Sequence, residues 1–353
     1  MSEKTSPATT DAPPPDEHQR VEVEGEDTSR SRVASIMASP AGRNLGLVLA
    51  FALLCVIGVI TAGDLFADID NVVTILRLAA VLGIVSIGMT FVIIGGGIDL
   101  SVGSIVALAS VWATTVATQQ MAADFHWIII VFTAMAVGAG CGLVNGVLIA
   151  YGRIAPFIAT LAMFAAARGL AEVISDKRNQ LVDEAAYMDF FSRELVGVPV
   201  LVYVFALVAV VGWVLLNRTT FGRRTIAVGG NEEAARLAGI KVQRHTVYLY
   251  ILVGVASGIA AAMLLARTGT GTAQHGVLLE LDAIAAVVIG GTLLTGGRGT
   301  IVGTVLGVLI FTTLTNIFTL NNIDTSNQNV AKGVIIVAAV LLQQAVAKRA
   351  GST

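Results

Sequence analysis

The feature that most constrains this chain is a succession of long apolar runs, separated by short polar blocks, from Leu45 to Val346. A helix needs roughly 17–25 predominantly apolar residues to cross a hydrocarbon core, and most of the runs approach that length. A composition that is 55% hydrophobic and 13% charged carries far more apolar surface than one soluble core of 353 residues needs. That surface must face lipid or other helices, and one membrane anchor does not account for so many runs. Dividing the chain at its polar breaks predicts about ten spans: 45–61, 72–94, 101–118, 127–150, 157–174, 200–216, 247–266, 281–294, 300–320 and 330–346. The expected fold is all-α, a polytopic transmembrane helical bundle.

Residues 1–43 differ in kind, with Pro13-Pro14-Pro15, an acidic cluster from Glu22 to Asp27 and almost no large apolar side chains. This composition predicts a disordered cytoplasmic tail. It lacks the successive charged, apolar and small-residue regions of a cleaved signal peptide, so the first apolar run is expected to stay as a membrane helix. The expected division is a tail over 1–43, a membrane domain over 44–347 with a cytoplasmic loop at 217–246, and a cytoplasmic C-terminus over 348–353. The cations support both termini being cytoplasmic, because positive residues stay inside during insertion. Arg30, Arg32 and Arg43 precede the first span, and Arg153 follows the fourth. Arg218, Arg223, Arg224, Arg236, Lys241 and Arg244 follow the sixth, Arg298 the eighth, and Lys348 and Arg349 the last. The opposite side receives Asp64, Asp68 and Asp70, then the segment 175–197, whose Lys177, Arg178 and Arg193 are outnumbered by acids.

A net charge of −2 and a pI near 6.1 provide no basic field for nucleic acid. Cys55 and Cys141 sit inside apolar runs without metal-like spacing and read as small buried hydrophobes. His18, His126, His245 and His275 stand apart from one another. No nucleophile–base pair, zinc motif or G-x-x-x-x-G-K-[ST] loop is present, so no catalytic or metal site is expected, and any ATP used is hydrolysed by another chain.

Gly accounts for 37 residues and Pro for 7, and many glycines lie in or beside spans, where small residues let helix backbones approach closely. Two breaks look alike: Val92-Ile93-Ile94-Gly95-Gly96-Gly97 and Val287-Val288-Ile289-Gly290-Gly291-Thr292. Matching interrupted helices are the mark of an internal duplication in transporters. Asp99, in the first break, is an intramembrane carboxylate and is read first as functional. With Ser101 it also suits the capping of the helix that follows. Asn145, Asn316 and Gln328 suit either interhelical hydrogen bonding or contact with a polyhydroxylated solute. Lys332, near a span end, is expected to snorkel to the interface.

The polar stretch after the sixth span is the most informative. In Gly229-Gly230-Asn231-Glu232-Glu233-Ala234-Ala235-Arg236-Leu237-Ala238-Gly239-Ile240, Asn231 is a good N-cap, Glu232 and Glu233 suit the first turn, and Gly239 is a natural stop. A short amphipathic helix is expected, with Ala234, Leu237 and Ala238 on one face. An apolar patch on a cytoplasmic element invites a docking partner.

Glu233-Ala234-Ala235 followed by Gly239 resembles the cytoplasmic coupling loop of ABC-importer permeases. The fuller set resembles the permeases of the ribose, xylose and galactose type: Gly95-Gly96-Gly97-Ile98-Asp99-Leu100-Ser101-Val102-Gly103-Ser104, Pro156 to Leu161 with Arg168-Gly169, Gly229 to Ile240, and Leu281 to Thr292. The resemblance covers nearly everything after the tail. It implies a type II importer fold in a bacterial inner (plasma) membrane, and Asn231, Glu232, Glu233, Ala234, Ala235, Arg236, Leu237 and Gly239 as the ATPase-coupling element. It also implies a homodimeric or pseudo-dimeric pore with a second permease copy, a cytoplasmic ABC ATPase that holds ATP and Mg, and an extracytoplasmic solute-binding protein. The chain itself would bind no cofactor. Asp99, Ser101, Asn145, Asn316 and Gln328 remain the candidates for the translocation pathway. The expected function is import of a monosaccharide or sugar-like polyol; the alternatives are a related permease for nucleosides, inositol or branched-chain amino acids, or an ion-driven secondary transporter. The long tail departs from the short N-termini of the family.

Overall fold

The computed structural model describes residues 40–351, so most of the expected tail lies outside the described residues. The helices in chain order are α1 Pro40–Ala62, α2 Asp64–Ala67, α3 Ile69–Ile94, α4 Val102–Ala113, α5 Val116–Asp124, α6 Ile128–Ala150, α7 Pro156–Ile174 and α8 Ala185–Ser192. They continue as α9 Val200–Arg218, α10 Thr220–Gly230, α11 Glu232–Leu237, α12 Val242–Thr268, α13 Leu279–Ile289, α14 Ile301–Leu320 and α15 Thr325–Gly351. The strands are two-residue ties. β1 Gln180–Leu181 pairs antiparallel with β4 Thr270–Gly271, and β2 Glu194–Leu195 with β3 Val198–Pro199.

Among the described residues seven helices are long and apolar enough to span a bilayer, or eight if α4 and α5 form one bent span. Each of the seven coincides with an expected run; the count of ten does not emerge. The run 101–118 breaks at Thr114 and Thr115, where α4 and α5 meet at 59°. The run 281–294 stops at Gly290, which leaves α13 with 11 residues, too short to cross. The last expected run falls inside α15, whose side chains beyond Leu341 lie outside the described residues.

Helices α3 and α12 form the centre, with 61% and 72% of their most apolar stretch buried, whereas the corresponding stretch of α1, within Asn44–Ala62, is 6% buried. The packing of α6 on α12 is set by small residues at four-residue spacing. Ala134, Gly138, Gly142 and Gly146 are buried on one face of α6. Opposite them a Cβ on Gly254 would overlap Gly138 O, and one on Gly258 would lie 2.6 Å from Met135 Cα. Backbones meet there directly, the arrangement by which helices gain dispersion contacts in lipid without a hydrophobic force.

The two similar glycine breaks end α3 and α13 in the same way. Gly96 N donates to Ile93 O at 2.9 Å and Gly97 N to Val92 O at 2.9 Å; Gly291 N donates to Val288 O at 2.9 Å and Thr292 N to Val287 O at 3.2 Å. Both are Schellman caps, and both need a left-handed residue that only Gly supplies without strain, with φ +84° at Gly96 and +86° at Gly291. α3–α4 and α13–α14 are thus matching helix–break–helix units.

Candidate functional site

The expected short helix forms as α11. Asn231, in extended backbone, accepts Ala234 N through its side chain at 2.9 Å. Glu232 and Glu233 occupy the first turn, where carboxylates oppose the positive helix end, and Glu233 pairs with Arg236 one turn on. The helix ends in a third Schellman cap: Gly239 N donates to Arg236 O and Ile240 N to Ala235 O, both at 3.0 Å, with Gly239 at φ +83°. Ala235 alone is buried, in a small cluster with Val228, Val242 and Ile240. Ala234, Leu237 and Ala238 are exposed, Leu237 to 81%. A six-residue helix therefore hangs on one alanine and presents the rest of its apolar face outward.

The two residues before Asn231 determine what the helix rests on. A Cβ on Gly229 would collide with Ile94 O and approach Gly297 N to 2.8 Å; one on Gly296 would lie 2.7 Å from Gly229 O and 3.1 Å from Gly96 Cα. Gly297 N also donates to Ile94 O at 2.8 Å. Three glycine segments, one after α3, one ending α10 and one after α13, thus touch backbone to backbone. The root of α11 is in direct contact with the loops that follow both matching breaks. Beside it, Arg224, Lys241, Arg244 and His245 line a cleft of about 380 Å³ with Phe221 and Tyr248.

The five pathway candidates separate into two groups. Asp99, Ser101 and Asn145 are fully buried and linked: Asp99 Oδ1 accepts Ser101 N at 2.8 Å and Ser101 Oγ at 2.6 Å, and Asn145 Nδ2 donates to Ser101 Oγ at 2.9 Å. Ser101 precedes α4 without capping it through its own side chain; the turn is held by Asp99 two residues before. Asn316 and Gln328 lie elsewhere, Asn316 donating to Asn71 Oδ1 at 2.7 Å and Gln328 to Ile323 O at 2.9 Å. Both hydrogen bonds into Asp99 end on one oxygen, which an amide oxygen reproduces. Asp99→Asn is therefore expected to keep most uptake and the wild-type thermal midpoint, while Asp99→Ala strands buried donors at roughly 1–3 kcal/mol. Uptake lost in a normally folded Asp99→Asn protein would assign a direct role to the charge.

Arg168, His275 and Lys332 were named from the sequence without their partners, which are distant along the chain. Arg168 on α7 donates to Ala273 O and, at 2.8 Å, to His275 O; His275 meets Ser110 at 3.1 Å and Thr268 at 3.3 Å. This knot folds the loop between α12 and α13 inward. A Cβ on Gly276 would then lie 3.0 Å from Gly103 Cα, and the buried Glu280 carboxylate faces Gly103 at the start of α4. Lys332 reaches sideways to Asp282 on α13, Nζ to Oδ2 at 3.0 Å, instead of extending past its helix end. No group of three or more metal-ligating side chains converges among the described residues.

The seven long apolar helices among the described residues and the paired broken helices are those of a multi-pass membrane protein. The chain belongs to the family described as branched-chain amino acid transport system / permease component, whose model matches residues 71–340. It is 42% identical over 305 residues to a ribose import permease of Bacillus subtilis, covering 86% of this chain and 92% of that one. It is 39% identical over 297 residues to the ribose import permease of Escherichia coli K12, covering 82% and 91%. It is 37% identical over 300 residues to an L-arabinose ABC transporter permease of Azospirillum brasilense, covering 85% and 87%. No solved structure matches the chain.

Proposed function

We propose that this chain is the membrane-spanning subunit of an ATP-binding-cassette importer that carries a monosaccharide or sugar-like polyol across the bacterial inner membrane. The similarity to ribose and arabinose permeases, over 82–86% of the chain, supports the sugar over the amino acid of the family description. Both termini face the cytoplasm, two copies form the pore, a separate ATPase holds ATP and Mg, and a solute-binding protein delivers the cargo from outside.

The observation that carries the mechanism is the seat of α11. Its exposed Ala234, Leu237 and Ala238 are the face offered to the ATPase. Its root, through Gly229 and Gly230, touches the loops after α3 and α13. A displacement imposed on α11 when the ATPase closes is passed by backbone contact to both helix–break–helix units at once. Because close-packed elements shift as rigid bodies, the outcome is a switch of access and not a local bend. The Asp99–Ser101–Asn145 cluster keeps α4 and α6 together while this happens and fixes one wall of the route. The permease performs no covalent chemistry.

The test is reconstitution in vesicles with the partner ATPase and binding protein. ATP-dependent uptake of the solute that co-purifies with the binding protein is expected, and that solute should be a monosaccharide or cyclic polyol. An amino acid found there would remove the sugar reading, and uptake that follows an ion gradient without ATP would remove the importer reading.

A further inference from the structure

At the other end of α12 from the coupling helix, α3, α12, α13, α14 and α15 enclose a half-open cleft of about 230 Å³. One wall is apolar, with Leu82, Leu264 and Phe311, and the other carries Arg267, Asp282, Thr312, Thr315 and Lys332. Lys332 Nζ donates to Asp282 Oδ2 at 3.0 Å and stands 5.2 Å above the Phe311 ring centroid. The side chains of Lys332 and Asp282 keep 16% and 22% of their exposure, so neither is sealed away. Asp282 Oδ1 and the Arg267 guanidinium have no hydrogen-bond partner among the described residues. Thr312 and Thr315 donate to backbone carbonyls of their own helix and keep their oxygen lone pairs available.

Charged side chains within a bundle are costly unless they face one another or a water-filled route. Here two charges satisfy each other yet both stay open to the cleft, and Arg267, exposed in the last turn of α12, stands on the same wall. Apolar walls with a few convergent polar groups are the usual make-up of a small-molecule site. The free carboxylate oxygen accepts from a hydroxyl, while the guanidinium, the ammonium and the threonine oxygens suit its neighbours, and the apolar wall suits a C–H face.

Resting on the reading of the chain as a sugar importer subunit, we propose that this cleft is a hydroxyl-binding station on the transport route. In it Asp282, Lys332 and Arg267 contact a solute bearing several adjacent hydroxyls. The test uses the full importer in vesicles and compares Asp282→Asn, Lys332→Gln, Arg267→Gln and the swap D282K/K332D. Each variant is assayed for uptake, for association with the ATPase, and for thermal midpoint. The single variants are expected to assemble with the ATPase but to lose uptake by at least about tenfold, as expected on removing one charge-assisted hydrogen bond. The swap should recover the midpoint by restoring the link between α13 and α15, and leave uptake low because the charges now face the solute reversed. A swap that recovers uptake would show a structural tether and overturn the proposal. So would single variants that transport at the wild-type rate. If the Asp282 and Lys332 variants do not fold, Arg267→Gln decides, because it lies outside the pair, and unchanged uptake there overturns the proposal. Failure of the importer reading would look different, since wild type itself would then show no ATP-driven uptake.

Discussion

Gly142→Val is expected to abolish the folded permease, while Gly140→Val, two residues away on the same helix, should leave it intact. A Cβ at Gly142 would overlap Tyr250 O and lie 2.8 Å from Tyr250 C and 3.0 Å from Ile251 Cα, all backbone atoms of α12 that no rotamer change can move. A Cβ at Gly140 meets nothing within 4 Å, and this residue is exposed. Overpacking of a core typically costs about 1–3 kcal/mol where side chains can adjust. Here helix axes must separate, which also opens the neighbouring contacts at Gly138 and Gly146 and pulls Asn145 from Ser101. Against a total stability of about 5–15 kcal/mol, that loss is severe. Detergent extraction followed by size-exclusion chromatography reads the outcome. A monodisperse Gly142→Val protein with a thermal midpoint near wild type would show that the α6–α12 seam does not hold the bundle together.

The apolar runs located the seven spanning helices, because lipid demands length and hydrophobicity whatever the tertiary partners are. The path from Asn231 to Gly239 could be read as a capped, stopped helix because those signals are local backbone chemistry. The alikeness of the two glycine breaks was visible for the same reason, and the two Schellman caps give it a geometric basis. The break at Thr114 and Thr115 was not legible, since no Gly or Pro marks it. There the helix yields to tertiary demands: Thr114 bonds Gln180 across the loop at 2.9 Å, and a Cβ on Gly271 would meet its hydroxyl. Lys332 looked like an interfacial residue because its partner Asp282 lies 50 positions away. The meeting of Gly96, Gly229 and Gly296 is equally non-local: the first two stood out in their own motifs, and Gly296 did not stand out at all.

Disrupting the exposed face of α11 should uncouple the importer without unfolding it. Glu233→Arg removes the pair with Arg236 and puts a cation at the positive end of the helix. In an exposed helix these effects amount to about 0.2–0.5 and 0.3–1 kcal/mol. Leu237→Asp changes a side chain that is 81% exposed, where surface substitutions usually stay within about 0.5 kcal/mol. Neither change threatens a bundle held by buried seams elsewhere, so insertion and thermal midpoint are expected to match wild type. With the ATPase docked on this face the balance differs. A reversed charge or an unpaired carboxylate buried in the interface costs about 2–5 kcal/mol, and every 1.4 kcal/mol is tenfold in affinity. Co-purification with the ATPase, solute-stimulated hydrolysis and uptake are therefore each expected to fall by at least about tenfold in both variants. Glu232→Arg, one position before on the same first turn, serves as the neighbouring comparison. Full stimulation of hydrolysis in Glu233→Arg and Leu237→Asp would mean that the ATPase grips another part of the loop. The contact of Gly229 with Gly96 and Gly296 would then be a packing feature and no longer the first link in a transmitted motion.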